Sequence, residues 1–176
     1  MTNFKNRIIL AAKLDADLYE EVEADKGAMR QAMGVVVLSS IAAGIGSSGT
    51  GGFGGILMGL IASLGGWYIW AYLTYFIGTK FLPEPQTKAD LGELLRTTGF
   101  SSSPGLIRVL GIIPGLTGVI FAVASIWMLV AMVIAVRQAL DYKSTLRAVG
   151  VCAIGWIIQA LILVFLFSVL GGAEAP

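Results

Sequence analysis

LLRTTGFSSSPGLIRVLGIIPG, residues Leu94 to Gly115, has the length of a membrane crossing without the usual composition of one. It contains two arginines (Arg96 and Arg108), a run of hydroxyl side chains from Thr97 to Ser103, and a proline, Pro104. Charged and strongly polar groups are costly in hydrocarbon, so such residues face the interior of a helical bundle or reach back to an interface. A segment of this kind needs apolar neighbours to enclose it.

The rest of the chain supplies them. Of its 176 residues 56% are hydrophobic and only 13% charged, with a mean hydropathy of +0.82. Soluble domains carry about 25% charged residues. No charge occurs from Gln31 to Thr79, from Val109 to Val136, or from Ala148 to Ala173. A crossing needs about 20 apolar residues, so the first gap holds two and each of the others one. The expected fold is all-α: a polytopic bundle of five transmembrane helices, at about 32–46, 53–79, 94–112, 116–136 and 148–170, in a membrane domain 31–176. Residues 1–30 form a charged cytoplasmic lead. Phe4, Ile8, Ala11, Leu14, Leu18 and Val22 recur there at three- and four-residue steps, the pattern of one amphipathic helix. It lies at the membrane surface, packs beneath the bundle, or stands in solvent. With no cleavable signal sequence read in this lead, the first crossing itself directs insertion.

Eleven of the 12 basic residues fall in the lead, the 80–96 region and the 137–147 loop, and only Arg108 lies in the outer half of a crossing. The positive-inside rule then places the N-terminus in the cytoplasm and the C-terminus outside. Ile113-Pro114-Gly115 turns the chain from the third crossing into the fourth.

Catalytic chemistry finds little purchase. The chain has no histidine, which removes the commonest general base and metal ligand. No carboxylate lies in any expected crossing, and the hydroxyls of Thr97–Ser103 have no adjacent base. They are better suited to bonding backbone carbonyls near Pro104. GIGSSG (44–49) and GTGGFG (49–54) match the dinucleotide pattern GxGxxG but lack the strand and the acid that it requires. No catalytic residue, cofactor, metal or nucleic-acid partner is expected. The lone Cys152 reads as a small hydrophobe. Gly51, Gly55, Gly59 and Ser63 suit close packing of crossings one and two, or a homo-oligomer. Arg108 snorkels, contacts an anion or acts as a hydrogen-bond hub, and Gln159 is a candidate cross-helix partner. Asp17, Tyr19 and Glu20, within the acidic run 15–25, form a candidate partner surface centred on an exposed tyrosine. The alternative is that these acids only solubilise the helix.

This layout resembles the Yip family of five-span membrane proteins, named for interaction with Ypt/Rab GTPases. The resemblance rests on Gly99-Phe100-Ser101-Ser102-Ser103-Pro104, matching a G-F/Y-S-x-x-P motif. It rests also on Pro114 at the three–four turn, Trp127 in the fourth crossing, and the basic loop running into Arg147-Ala148. Asp17-Leu18-Tyr19 is similar to the D-L-Y-G-P element of eukaryotic members, with Glu20-Glu21 in place of Gly-Pro. The short lead and compact loops look more like the prokaryotic branch, which implies a bacterial inner membrane. The resemblance implies a non-enzymatic scaffold that associates in the bilayer with other membrane proteins or with a cytoplasmic protein, in membrane organisation or trafficking. The alternatives are a transporter or channel component whose polar third crossing lines a path, or a small accessory subunit of a larger membrane complex.

Overall fold

The computed structural model describes residues 3–47 and 52–171, so 48–51 of the two glycine motifs at 44–54, Gly51 included, lie outside the described residues. The lead is two helices rather than the expected one: α1 (Phe4–Ala12) and α2 (Ala16–Ala24). The break is a helix-ending motif. The Leu14 amide donates to Ala11 O and the Asp15 amide to Leu10 O, both at 3.1 Å, with Leu14 left-handed at φ 65° where glycine is usual. Asp15 then caps α2 by accepting from the Leu18 amide at 3.2 Å. The apolar stripe nevertheless continues through the break, and every residue named for it is buried or half-buried.

A 3-10 turn, Lys26–Ala28, leads into α3 (Met29–Gly46). The long helices that follow are α4 (Gly52–Phe76), which runs on through a π turn at Ile77–Phe81, α6 (Thr117–Ala139) and α7 (Thr145–Gly171). Among the described residues four stretches are long and apolar enough to cross a membrane: Lys26–Gly46, Gly54–Phe81, Thr117–Ala139 and Thr145–Ile162. Their outer faces are greasy. Met58, Val119, Ile126, Leu161 and Phe165 are 67, 62, 64, 64 and 66% exposed, a surface suited to lipid and unsuited to water.

The third crossing is broken. Instead of a single helix over 94–112, the chain forms α5 (Leu91–Phe100), two turn residues, and a 3-10 helix from Ser103 to Ile112. Asp90 and Glu93 start α5 with a reciprocal capping box, at 2.9 and 2.7 Å. Pro104 has no amide for Phe100 O, so an α-helix cannot run through it undisturbed. The helix yields first, and Pro104 falls in the opening turn of the 3-10 stretch, where its missing N–H costs nothing.

Ten residues of 3-10 helix is long for that conformation; its packing against α3 explains it. A Cβ added to Gly99 would lie 2.8 Å from Ala32 Cβ, one on Gly105 would overlap Ser39 Oγ, and one on Gly111 would lie 2.9 Å from Gly46 O. The contacts step by six residues along the third crossing and by seven along α3. From Gly105 to Gly111 the six residues are two turns of a 3-10 helix rising about 12 Å, beside seven residues of α3 that are about two turns rising about 10.5 Å; Gly99 joins the row from the end of α5. The two periods keep pace over this half of the contact, and bare glycine lets the backbones come this close. The broken segment runs beside α3 from end to end. Four continuous helices and one broken one make the bundle.

Of the small residues of α4, Gly59 and Ser63 meet α3 at one point, Ser40 Oγ donating to Gly59 O at 3.4 Å, and the rest of the face is open. A Cβ on Gly55 or Gly59 would meet nothing within 4 Å. α3 and α4 touch instead through Ser40, whose hydroxyl lies 3.0 Å from that of Ser63. Beyond the 3-10 stretch the Leu116 amide donates to Ile113 O at 3.1 Å around Pro114 and Gly115 (φ 83°), a tight turn that delivers the chain to α6.

Candidate functional site

One end of the bundle gathers the charged segments. Arg7, 2% exposed, sits between Glu21 and Asp25, each 2.8 Å from Nη2, and donates through Nη1 to Gln31 at 3.0 Å. It thereby pins α1 to the end of α2 and the start of α3. Arg96 is 5% exposed and lies away from lipid. Its Nε donates to the carbonyls of Val22 and Glu23, both at 3.0 Å, and its Nη2 also reaches Glu23 O. The last carbonyls of a helix lack intrahelical partners and carry the negative end of its dipole, so a guanidinium there caps α2.

The connector after α4 and the loop before α7 are latched to each other. Glu84 accepts from the Lys143 amide at 3.0 Å and the Ser144 amide at 3.4 Å, at the start of α7. These amides, the Lys143 bond foremost, hold its carboxyl below the usual range. Tyr142 donates to both Gly78 O and Leu82 O, at 3.0 and 2.8 Å, and Arg147 to Pro83 O at 2.8 Å. Gln138 reaches across to Glu20 at 2.8 Å, joining the loop side to the lead. Between them is a cleft of about 440 Å³ bordered by Glu20, Glu23, Arg137, Asp141 and Lys143. Burial pushes the Glu23 carboxyl up to about 7, helped by the negative charges of Glu93, Asp141 and Glu20 and opposed by Arg96.

The expected partner surface needs one correction. Asp17 and Glu20 are exposed, but Tyr19 is fully buried, its ring packed with Leu18 and Val22 against Ala32, Phe100 and Ala135. Its hydroxyl donates to Ala11 O at 3.3 Å, tying α2 to α1. Tyr19 is a core residue of the lead, and the exposed face is acidic only. Trp127 completes the docking of the lead by donating from Nε1 to Ala12 O at 2.8 Å.

The hydroxyls of the third crossing mostly bond backbone. Thr97 donates to Glu93 O at 2.9 Å, Thr98 to Leu94 O, and Ser101 to Thr98 O at 2.7 Å. Gly99 and Phe100 face α3 and the lead. Pro104 is buried and Pro114 exposed at the turn.

At the other end of the bundle the same crossing opens onto a cavity of about 700 Å³ between α3, α4, α6 and α7. Arg108 and Gln159 both line it, but do not pair: Arg108 donates instead to Ser125 Oγ at 3.3 Å and lies 5.6 Å from the centre of the Phe121 ring. Ser40, Ser63, Thr98 and Ser102 add hydroxyls to the wall, and Trp67, Trp70 and Trp156 close its inner end. Among the described residues no group of three or more metal-ligating side chains is gathered. The cavity escapes a reading of single segments because five elements build it. Its one sequence signal is the row Gly55, Gly59, Ser63 and Gly66, a face of α4 left without bulk.

A protein-family model, the Yip1 domain, matches residues 18–167. No curated protein and no solved structure matches the chain. The match starts at Leu18, in α2, and takes in every crossing, the motif Gly99–Pro104 and the turn at Pro114. With that match covering most of its length, this chain belongs to the Yip1 domain family.

Proposed function

We propose that this protein is a non-enzymatic membrane scaffold, cytoplasmic at its N-terminus and extracytoplasmic at its C-terminus, that engages a protein partner through its charged end. The observation carrying this reading is that the lead, the 80–93 connector and the 137–147 loop are joined by hydrogen bonds into one platform. Together these segments hold nearly all the charge of the chain. A positive-inside bias of this kind supports a cytoplasmic platform. Asp17 and Glu20 give it an exposed acidic edge, which suits a basic surface on a protein active in membrane organisation or trafficking.

Charge reversal tests this better than deletion, because removing the lead would uncover Ala32 and Phe100. The variant Asp17→Lys, which leaves the Gln138–Glu20 bond in place, is expected to insert and melt like the parent while losing proteins that co-purify in mild detergent. Retention of every partner would sink the idea.

The cavity supports a second reading, passage of a solute along the third crossing. It ranks behind scaffolding because an apolar core of Trp70, Ile77, Leu94, Leu140 and Val151 continues below the cavity towards the charged end. Solute flux in liposomes that Arg108→Ala abolishes would reverse that order.

A further inference from the structure

Arg108 is a permanent cation, and among the described residues no carboxylate pairs with it. Its guanidinium is half-buried, and among the described residues no acceptor reaches its buried Nε. Of five N–H donors, one is used, on the neutral hydroxyl of Ser125. Among the described residues no carboxylate lines the cavity into which it projects. A desolvated guanidinium stays charged, so burial without a negative partner is unfavourable, and its planar fork of donors matches the oxygens of a phosphate.

The setting adds two further features. Arg108 stands at the end of the bundle remote from the charged platform, its carbonyl against Gly46 at the close of α3. The cavity extends inward from there along α3 from Ser47 to Val36, about 16 Å of helix. It changes character on the way, from the guanidinium and hydroxyls to Met128, Met132 and the tryptophans. One wall is the bare row of α4, where side chains on Gly55 and Gly59 would meet nothing. Beside that row Leu57, Met58 and Ile61 are exposed.

We propose that this cavity is a binding site for a phosphate-bearing anion, held by Arg108 with the neighbouring hydroxyls and Gln159. The phosphate can come from the headgroup of a membrane lipid, whose chain would follow the bare face of α4, or from a free phosphate. The site is independent of the partner platform, and its test is read without any partner.

The full-length protein, stripped of lipid by detergent exchange, is melted in neutral-detergent micelles with three additions: phosphatidylglycerol, phosphatidylcholine or inorganic phosphate. A rise in Tm of about 5 °C is expected from a saturating ligand. A rise with phosphatidylglycerol, absent with inorganic phosphate, assigns the lipid source; an equal rise with inorganic phosphate assigns the free anion. Arg108→Gln is expected to abolish the response and Arg108→Lys to keep part of it. Gly59→Leu, which fills the cavity without touching the cation, is expected to abolish the lipid response with an unchanged baseline Tm, and it serves also if Arg108→Gln fails to fold. A response to neither anion, or one that Arg108→Gln and Gly59→Leu both leave at the size seen in the parent, overturns the proposal.

Discussion

At Gly105 the room for a side chain is already taken by the Ser39 hydroxyl and, 2.9 Å from where a Cβ would stand, by Met128 Sδ. Alanine there has to push α3 and α6 apart, and overpacking of this kind costs about 2 kcal/mol. Gly59→Ala is expected to be neutral or slightly stabilising, because the site is open and alanine favours helix. Thermal unfolding of the two variants in detergent checks the contrast, and equal effects would refute the ladder. Glycines 99, 105 and 111 are visible in the sequence, yet a six-residue spacing scatters around an α-helix, and the three fall in line only because the helix breaks after Gly99 and a 3-10 stretch carries the other two. A search for α-helical faces therefore passes over it. Tyr19 misled for the opposite reason. It stands among acids in sequence, while Leu18 and Val22 turn its helix face inward.

The lead hairpin is the element whose stability responds to pH. Glu23 has an ordinary pKa of 4.5 and one of about 7 in the fold. Between those values the folded form keeps a proton that the unfolded form has released. Stability therefore falls as pH rises through that window and levels off above about 7. Hydrogen exchange of the Leu18–Ala24 amides is expected to be faster at pH 8 than at pH 5.5, after correction for intrinsic rates, and Glu23→Gln to remove the difference. Glu84 works in the other direction, its contribution present above its unfolded pKa and lost on acidification, so a slope that survives in Glu23→Gln would refute the assignment. Arg7→Gln tests the other anchor of the hairpin: losing hydrogen bonds to two carboxylates is expected to cost about 2 kcal/mol in the same unfolding assay. The apolar stripe of this element was legible at three- and four-residue steps. Its break was not, because leucine is a poor signal for a left-handed turn; Asp15, three residues before the Leu18 amide, was the better clue.

For the whole molecule, charge is the most legible property, since it is counted over loops and does not depend on where any helix bends. Orientation is checked with single cysteines after Cys152→Ala. Leu116→Cys is expected to react with an impermeant reagent from outside the cell and Ser144→Cys only after the membrane is opened. Labelling in the reverse pattern would invert the proposed topology. The number of crossings could be read from the charge-free gaps for four of the five. The other, Leu91–Ile112, is less apolar and is broken, and what carries it across is a fit to its neighbours that no local window contains. The cavity is likewise a property of the assembled bundle.

That dependence sets an order of events. A polar, broken segment has little reason of its own to leave water for lipid. The surface it fits, Ala32, Ser39 and Gly46 on α3, precedes it in the chain, as does Trp67 of α4, which donates to Leu95 O at 3.1 Å and Thr98 Oγ1 at 3.2 Å. By the time Leu91 leaves the ribosome, both helices have been synthesised. The third crossing thus enters the bilayer against a template made moments earlier, with α6 arriving afterwards to close over it.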